Sequence, residues 1–256
     1  MVNANIPKPA AKTLHRQKQE RLNDVRIVAA AMRIADREGL EAISMRRIAE
    51  ELGSGVMSLY RHVSGKDQIL DLLLDAAYGE IVVPAAPSGN WREDVRDMAR
   101  QTRQVLKRHA WLGPLLTSRP TFGPNYLRWF EFLLAATGLE APGIQARLRV
   151  IGTVFAYVAG VVGYELGEEE TNRRHKLTPE RKRKLAAPHL APILATGLYP
   201  NLAQFVEEGG GEPTDESFEF GLKCVFDGVA MQKSAGASSP LPGMFGNPEK
   251  RTGRAG

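Results

Sequence analysis

The chain has 256 residues, 43% of them hydrophobic and 25% charged, the proportions of an ordinary soluble globular protein of one or two domains. A single cysteine, Cys224, excludes an intramolecular disulfide framework and fits a reducing cytoplasm, where its simplest role is that of a small buried apolar residue. The net charge of +5 is unevenly placed: residues 1–66 carry 12 lysines and arginines against 7 acids, while residues 67–256 carry 22 against 22. A basic module followed by a neutral one is the footprint of a phosphate-binding domain joined to a partner-binding domain.

Residues 1–20 are polar, contain Pro7 and Pro9, and carry Lys8, Lys12, Arg16 and Lys18, so a disordered basic arm is predicted there. The segment has no apolar core of signal-peptide length, and secretion is not expected. Leu22–Glu38 reads as a helix with Val25, Val28, Ala29, Met32 and Ala35 on its inner face, stopped by Gly39. Ser44 opens the next helix, which ends at Gly53, and a short helix follows over Val56–Val63. Ser64 is the expected N-cap of a fourth helix, with Asp67 in its first turn, which runs to about Ile81 before Pro84 and Pro87.

A second module starts near Trp91. Arg92–Arg108 is amphipathic, with Val95, Met98, Ala99, Thr102, Val105 and Leu106 inward. Gly113-Pro114 and Arg119-Pro120 punctuate a short piece, and Asn125–Thr137 is an aromatic-rich helix. Gly143–Glu169 is long; its uncharged run Val150–Tyr164 is about five residues short of a membrane span and is predicted to be a buried helix. The charged stretch Thr171–Lys184 precedes helical stretches at Pro188–Gly197 and Tyr199–Glu208, and Asp215–Lys233 is the last helix. From Ser234 the chain is rich in Gly, Pro and Ser and is predicted to be disordered. Strand alternation is absent. The predicted fold is all-α: a three-helix domain over residues 21–66, then a larger helical domain over 67–233 entered through a connecting helix.

The most specific signal is ISMRRIAEELGSGVMSLYRHVSGKDQIL at residues 43–70. A helix-turn-helix needs a small residue where its helices touch, a glycine four residues on for the turn, and an apolar residue six further on to pin the recognition helix. Ala49, Gly53 and Leu59 fill these places, and Ile48, Leu52 and Val63 complete the buried side. This stretch, with the helices flanking it, resembles the TetR family of regulators over residues 22–82. The resemblance implies that Val56, Met57 and Ser58 approach base edges, with the two apolar side chains suited to thymine methyls. It places Tyr60, Arg61 and His62 at phosphates and bases, Arg61 being the candidate for a bidentate guanine contact. Ser44 and Arg46 at the preceding helix start, and Lys66, are then backbone contacts. His62 is read as a structural or phosphate-facing histidine and not as a metal ligand, Tyr60 is equally readable as a packing residue, and Arg47 as solvated surface.

The larger domain shows a partial resemblance to the tetracycline-repressor class of that family, carried by GNW at 89–91, SRPT at 118–121 and FGLKCVFDGV at 220–229. It implies a homodimer built from the helices at 143–169 and 215–233. Gly152, Ala156, Ala159, Gly160 and Gly163 give the first a small-residue stripe, and Phe218, Leu222, Val225, Phe226 and Val229 give the second an apolar face; an intrachain core contact is the alternative reading, since stripes do not name their partner. Where that class presents polar and magnesium-binding groups, the alignment gives Val82, Met98, Thr102 and Leu115, and its histidines are missing, so neither a metal nor a cofactor is expected. A ligand pocket is predicted around Met98, Thr102, Trp111, Leu115, Ser118, Phe122, Trp129 and Phe155, with Tyr126 and Phe130 adding to the aromatic concentration and Ser118, Thr102 or Glu165 as polar anchors.

These readings make the chain a cytoplasmic transcriptional regulator, by family default a repressor, that binds a palindromic double-stranded operator and is released by a bulky, largely apolar or aromatic small molecule. A DNA-binding regulator controlled by a protein partner, or lacking an effector, keeps the first domain and drops the pocket. An enzyme is not expected: His15, His62, His109, His175 and His189 have no metal-ligand spacing, and no nucleophile elbow, phosphate loop or dinucleotide fingerprint is present. Glu168-Glu169-Glu170 is read as solvated surface.

Overall fold

A computed structural model describes residues 23–118, 122–138, 141, 143–209, 211 and 214–234; the side chains of 117, 118 and 232–234 are outside the description. The expected basic arm and carboxy-terminal tail therefore lie outside the described residues. Among the described residues the secondary structure is helical, without strands, as the sequence pattern predicts. The chain divides into two compact units, residues 1–73 and 74–256, with the boundary inside one continuous helix.

The first unit contains α1 (Asp24–Glu38), a single 3-10 turn (Leu40–Ala42), α2 (Met45–Leu52), α3 (Val56–Leu59) and the start of α4 (Lys66–Gly79). Asn23 caps α1 by accepting the Arg26 N–H at 2.9 Å. The buried face of α1 is Ile27, Ala30, Ala31, Ile34 and Ala35, rotated from the expected one: Val25 and Ala29 are exposed, and Val28 and Met32 are half-buried. Between Val25 and Met32 only Arg26 is charged, so that run offers apolar residues on more than one side of the helix. The two isoleucines, seven residues apart on one side, have the larger surface to bury and set the rotation. α4 starts two residues after Ser64, whose N–H and hydroxyl both donate to the Gln68 carboxamide oxygen, at 2.6 and 2.9 Å.

The second unit contains the rest of α4 with α5 (Trp91–Arg108), α6 (Leu112–Ser118), α7 (Pro124–Ala136), α8 (Ile144–His175), α9 (Pro179–Leu194), α10 (Pro200–Glu207) and α11 (Asp215–Ser234). α5 packs along α8, α7 touches both, and α11 packs on α8. All six predicted inward residues of α5 are buried. α8 runs six residues past the expected stop at Glu169. The acidic run that suggested an end is instead neutralised from several sides: Glu168 by Lys182, Glu169 by Lys107, and Glu170 by Arg173 and Arg174. Arg173, Arg174 and His175 then suit the negative end of the helix dipole. α9 is likewise longer than expected and carries Pro188 and Pro192 within it. Each proline removes one ladder bond, which is tolerated on a helix with no buried residue because the freed carbonyls can reach water.

α8 is long and apolar enough to cross a membrane by length and composition, yet one face packs in the bundle through Val150, Ile151, Val154, Val158 and Val162. Its remaining face is exposed at Ala156, Ala159, Gly160, Gly163 and Gly167, so the helix is only partly buried. On α11 the expected dimer face is an intrachain core: Phe218, Leu222 and Phe226 are fully buried, and Val225 and Val229 half-buried. Phe218 stacks on Tyr157 of α8, and Phe226 meets Trp91 of α5 edge-on at 5.2 Å. The stripe does mark a helix contact, but the partner is the same chain.

Candidate nucleic-acid interface and effector site

The helix-turn-helix follows from local chemistry. Ser44 is extended (φ −148°, ψ 155°), and its hydroxyl accepts the Arg47 N–H at 3.1 Å, which starts α2. Gly53 ends α2 in the left-handed region (φ 61°, ψ 33°), where any side chain would be strained, and its N–H reaches the Ala49 and Glu50 carbonyls. α3 is shorter than the expected 56–63 segment; the chain closes over it through His62 and Val63 N–H groups donating to the Leu59 carbonyl at 2.9 and 3.0 Å. Leu59 and Ile48 are fully buried, and Ala49 and Val63 nearly so.

That anchoring leaves the opposite face of α3 outward. Met57 is 77% exposed, Tyr60 and Arg61 are exposed, and Val56 and Ser58 are half-buried. Arg61 Nη2 donates to Ser58 Oγ at 3.2 Å, which holds the guanidinium beside the helix start. Arg46 is exposed and paired one turn on with Glu50 at 2.9 Å, a surface pair that a phosphate can displace. Lys66 is exposed at the start of α4. Two expected contacts have structural engagements. Ser44 accepts within the cap, and the His62 ring lies 3.3 Å from the Asp24 carboxylate, tying the turn after α3 to the start of α1.

Arg47, read as solvated surface, is a structural residue. It pairs with Glu38 at 2.6 Å and Glu51 at 3.3 Å, and Arg37 and Arg33 also reach Glu51, so three guanidiniums and two carboxylates fasten α1 to α2. The Arg37 hydrogen bond holds the Glu51 carboxyl below its ordinary range, and the Arg47 hydrogen bond does the same for Glu38. A carboxyl depressed in the folded state contributes stability above its unfolded pKa and loses it as pH falls through the folded value. In thermal unfolding followed by far-UV circular dichroism, wild type therefore exceeds Glu51→Gln in midpoint at neutral pH. The gap closes as pH falls below about 4.3, the ordinary glutamate value. A gap unchanged down to full protonation would exclude the pairing.

In the second unit an aromatic cluster joins α4, α7 and α8. Trp129 is buried and meets Phe155 edge-on at 4.5 Å, Tyr78 at 5.0 Å and Tyr126 at 5.8 Å; Tyr126 stacks on Phe130 at 5.6 Å. Met98, Thr102, Trp111 and Leu115 are also buried. Two buried polar atoms among the expected lining residues have no protein partner, Thr102 Oγ1 and Trp129 Nε1. Burial raises the Tyr78 phenol far above its ordinary value, so it is neutral throughout the physiological range.

The remaining expected lining residues fall elsewhere. Phe122 is 76% exposed, in the segment ahead of α7, and takes no part in the cluster. Ser118 ends α6, and its side chain is outside the described residues. Glu165 is not a free anchor: Arg103 contacts it at 2.5 Å and Lys107 at 3.4 Å, because a carboxylate this buried needs paired cations. Val82 is exposed and held by Gln101, which accepts its N–H at 2.7 Å and donates to its carbonyl at 3.2 Å.

Tyr78 and Asp75 were not among the expected site residues. Asp75 follows Asp67 and Asp71 at four-residue spacing along α4, and of the three only Asp75 is buried. Among the described residues no three His, Cys, Asp or Glu side chains group so as to hold a metal ion.

The family model described as bacterial regulatory proteins, tetR family, matches residues 27–73, and the one described as tetracyclin repressor-like, C-terminal domain, matches residues 83–233. The HTH-type transcriptional repressor DrrR1 of Streptomyces coeruleorubidus is 39% identical over 221 residues, which cover 84% of this chain and 80% of that relative. The chain belongs to the TetR family of bacterial regulatory proteins. As a TetR-family protein it is a helix-turn-helix transcriptional regulator, and the family is one of regulators and not of enzymes. Among solved structures, apo ActR from Streptomyces coelicolor superposes with a TM-score of 0.66 at 27% identity, covering 84% of this chain and 98% of that one. ActR in complex with actinorhodin gives 0.66 at 28% identity, covering 83% and 97%.

Proposed function

We propose that this TetR-family regulator is a cytoplasmic repressor that binds a palindromic operator as a homodimer and leaves it when a bulky, largely apolar or aromatic molecule occupies the second unit. The observation that carries the DNA half is the α3 surface, where burial of Leu59 leaves Met57, Tyr60 and Arg61 exposed, with Arg46 and Lys66 also exposed at the starts of α2 and α4. The effector half is supported by the aromatic cluster around Trp129 and by two buried polar atoms without a protein partner, Trp129 Nε1 in that cluster and Thr102 Oγ1 on α5. Thr102 Oγ1 can donate or accept, while the indole N–H only donates, so a molecule bound against Trp129 presents a carbonyl-like acceptor to it.

Dimerisation is supported by two exposed helix faces. On α8 these are Ala156, Ala159, Gly160, Gly163 and Gly167, small enough for close helix approach; on α11 they are Phe220, Cys224, Gly228 and Met231. The α11 residues lie opposite the core residues Phe218, Leu222 and Phe226. In a dimer the two α3 helices enter successive major grooves about 34–36 Å apart. An effector then acts by favouring a state in which α4 holds them at another spacing. Control by a protein partner is the second reading, favoured by exposed Leu198, Tyr199 and Phe205 in and just before α10.

Selection from random duplexes, followed by anisotropy titrations across salt concentrations, tests the proposal. A palindrome is expected, with steep salt dependence. Arg61→Ala weakens that site by about 5- to 150-fold and relaxes one base position, as loss of a bidentate base contact does. Arg46→Ala weakens all sequences alike and lowers the salt slope by about one. Actinorhodin, which ActR binds, is the first effector probe, and release by it that fails in Trp129→Phe supports the pocket. Absence of any enriched sequence would reject the operator reading.

A further inference from the structure

The amino terminus of α7 has a cap that its own sequence cannot provide. Gly123 is the N-cap residue and has no side chain, so the first N–H groups of α7 lack a local acceptor. Asp75, on α4, supplies it from another helix: Oδ1 accepts the Asn125 and Tyr126 N–H groups, both at 3.0 Å, and Oδ2 accepts the Asn125 carboxamide at 3.0 Å. A buried carboxylate is costly unless its oxygens are satisfied, and here three donors and the positive end of the α7 dipole satisfy them. Gly123 is needed at this point because a Cβ there would sit 2.1 Å from the Asp75 carboxyl carbon.

One turn along α4 from Asp75, Tyr78 lies against Tyr126 and Trp129 of α7, at 5.1 and 5.0 Å between ring centroids. The α7 residues fixed by α4 are therefore the residues of the aromatic cluster or their immediate neighbours. α4 itself continues unbroken back to Lys66, in the segment that follows the helix-turn-helix. A charge-assisted cap with three directed hydrogen bonds ties α7 to α4 more strongly than neutral contacts would.

We propose that Asp75 is the positioning residue that couples α7 to α4, so that operator binding and the state of the aromatic cluster are linked through its cap on Asn125 and Tyr126. The inference rests on the reading of α3 as the operator-binding element. Because coupling between two sites is reciprocal, the link can be read from the DNA side without knowing the effector.

The test is amide hydrogen exchange on the full chain with and without the selected operator duplex, in wild type, Asp75→Ala, which removes both accepting oxygens, and Gly123→Ala. The second variant breaks the same cap from the opposite side while leaving Asp75 and both helices intact. In wild type, duplex binding is expected to change exchange in α7 by about threefold or more. Both variants are expected to keep operator affinity within about threefold and to gain the same protection in α2 and α3, while the change in α7 disappears. Protection of α11 amides and far-UV circular dichroism identify a variant that has not folded, in which case the other variant decides. An α7 response that survives both substitutions, or is missing in wild type that binds the duplex, overturns the coupling. Loss of operator binding in variants that remain folded overturns it too, since the cap would then belong to the DNA-binding fold itself. Failure of wild type to bind any duplex overturns the operator reading instead, and so is distinguishable.

Discussion

Leu59→Ala is expected to abolish operator binding and to destabilise the first unit by about 2–5 kcal/mol, the cost of emptying a fully buried leucine site. α3 has four residues, far too few to persist as a helix without tertiary support. Its support is the Leu59 side chain, with the Leu59 carbonyl taking two of the N–H groups that close the following turn. Met57→Ala is the matching control. That side chain is exposed, so its removal changes stability by no more than about 0.5 kcal/mol while weakening operator binding. The tryptophans, Trp91, Trp111 and Trp129, all lie in the second unit. Loss of helical circular dichroism at a lower denaturant concentration than the tryptophan transition therefore reports the first unit separately. Operator affinity in Leu59→Ala equal to wild type would contradict the role given to the anchor.

The helix-turn-helix was legible because each of its requirements is local. Ser44 caps the residue three positions on, Gly53 meets a backbone need for positive φ, and Leu59 follows at a fixed spacing. None of these depends on where the rest of the chain lies. The face of α1 does depend on it. Val25, Ile27, Val28, Ala29, Ala30, Ala31 and Met32 form an almost continuous apolar run, and only packing chooses between its sides.

The same limit applies to α11, where Phe218, Leu222 and Phe226 mark a contact without naming the partner. It hides the site residues most strongly. Asp75 shares the four-residue spacing of Asp67 and Asp71, and it is α7, some fifty residues later, that brings its bare N–H groups to it. The aromatic concentration between 111 and 155 is visible as composition, yet it splits: Trp129, Tyr126, Phe130 and Phe155 come together, Phe122 is left exposed, and Tyr78 joins from α4. Position in the sequence is a poor guide to membership because the cluster is assembled from three helices.

Glu165 offers the second large effect. Its carboxylate is 4% exposed, held by Arg103 and Lys107 of α5, while Arg103 also reaches Asp215 at the start of α11 and lies over the Phe218 ring at 4.7 Å. One side chain on α8 thus holds the cations that fasten α5 and α11 around it. Glu165→Ala leaves a largely buried guanidinium without its main partner and is expected to cost about 3–5 kcal/mol in denaturant unfolding followed by tryptophan fluorescence. The double variant Arg103→Met/Glu165→Leu removes both charges, and most of the lost stability returns, because desolvating the pair consumed much of what its attraction supplied. If the double variant were as unstable as the single, packing and not the uncompensated cation would be responsible. The outcome also bears on the effector. A carboxylate already engaged by two cations has little left to offer a ligand, so Glu165→Gln is expected to alter stability more than effector response. Thr102→Val, which removes an unpartnered hydroxyl at nearly constant volume, is expected to do the reverse.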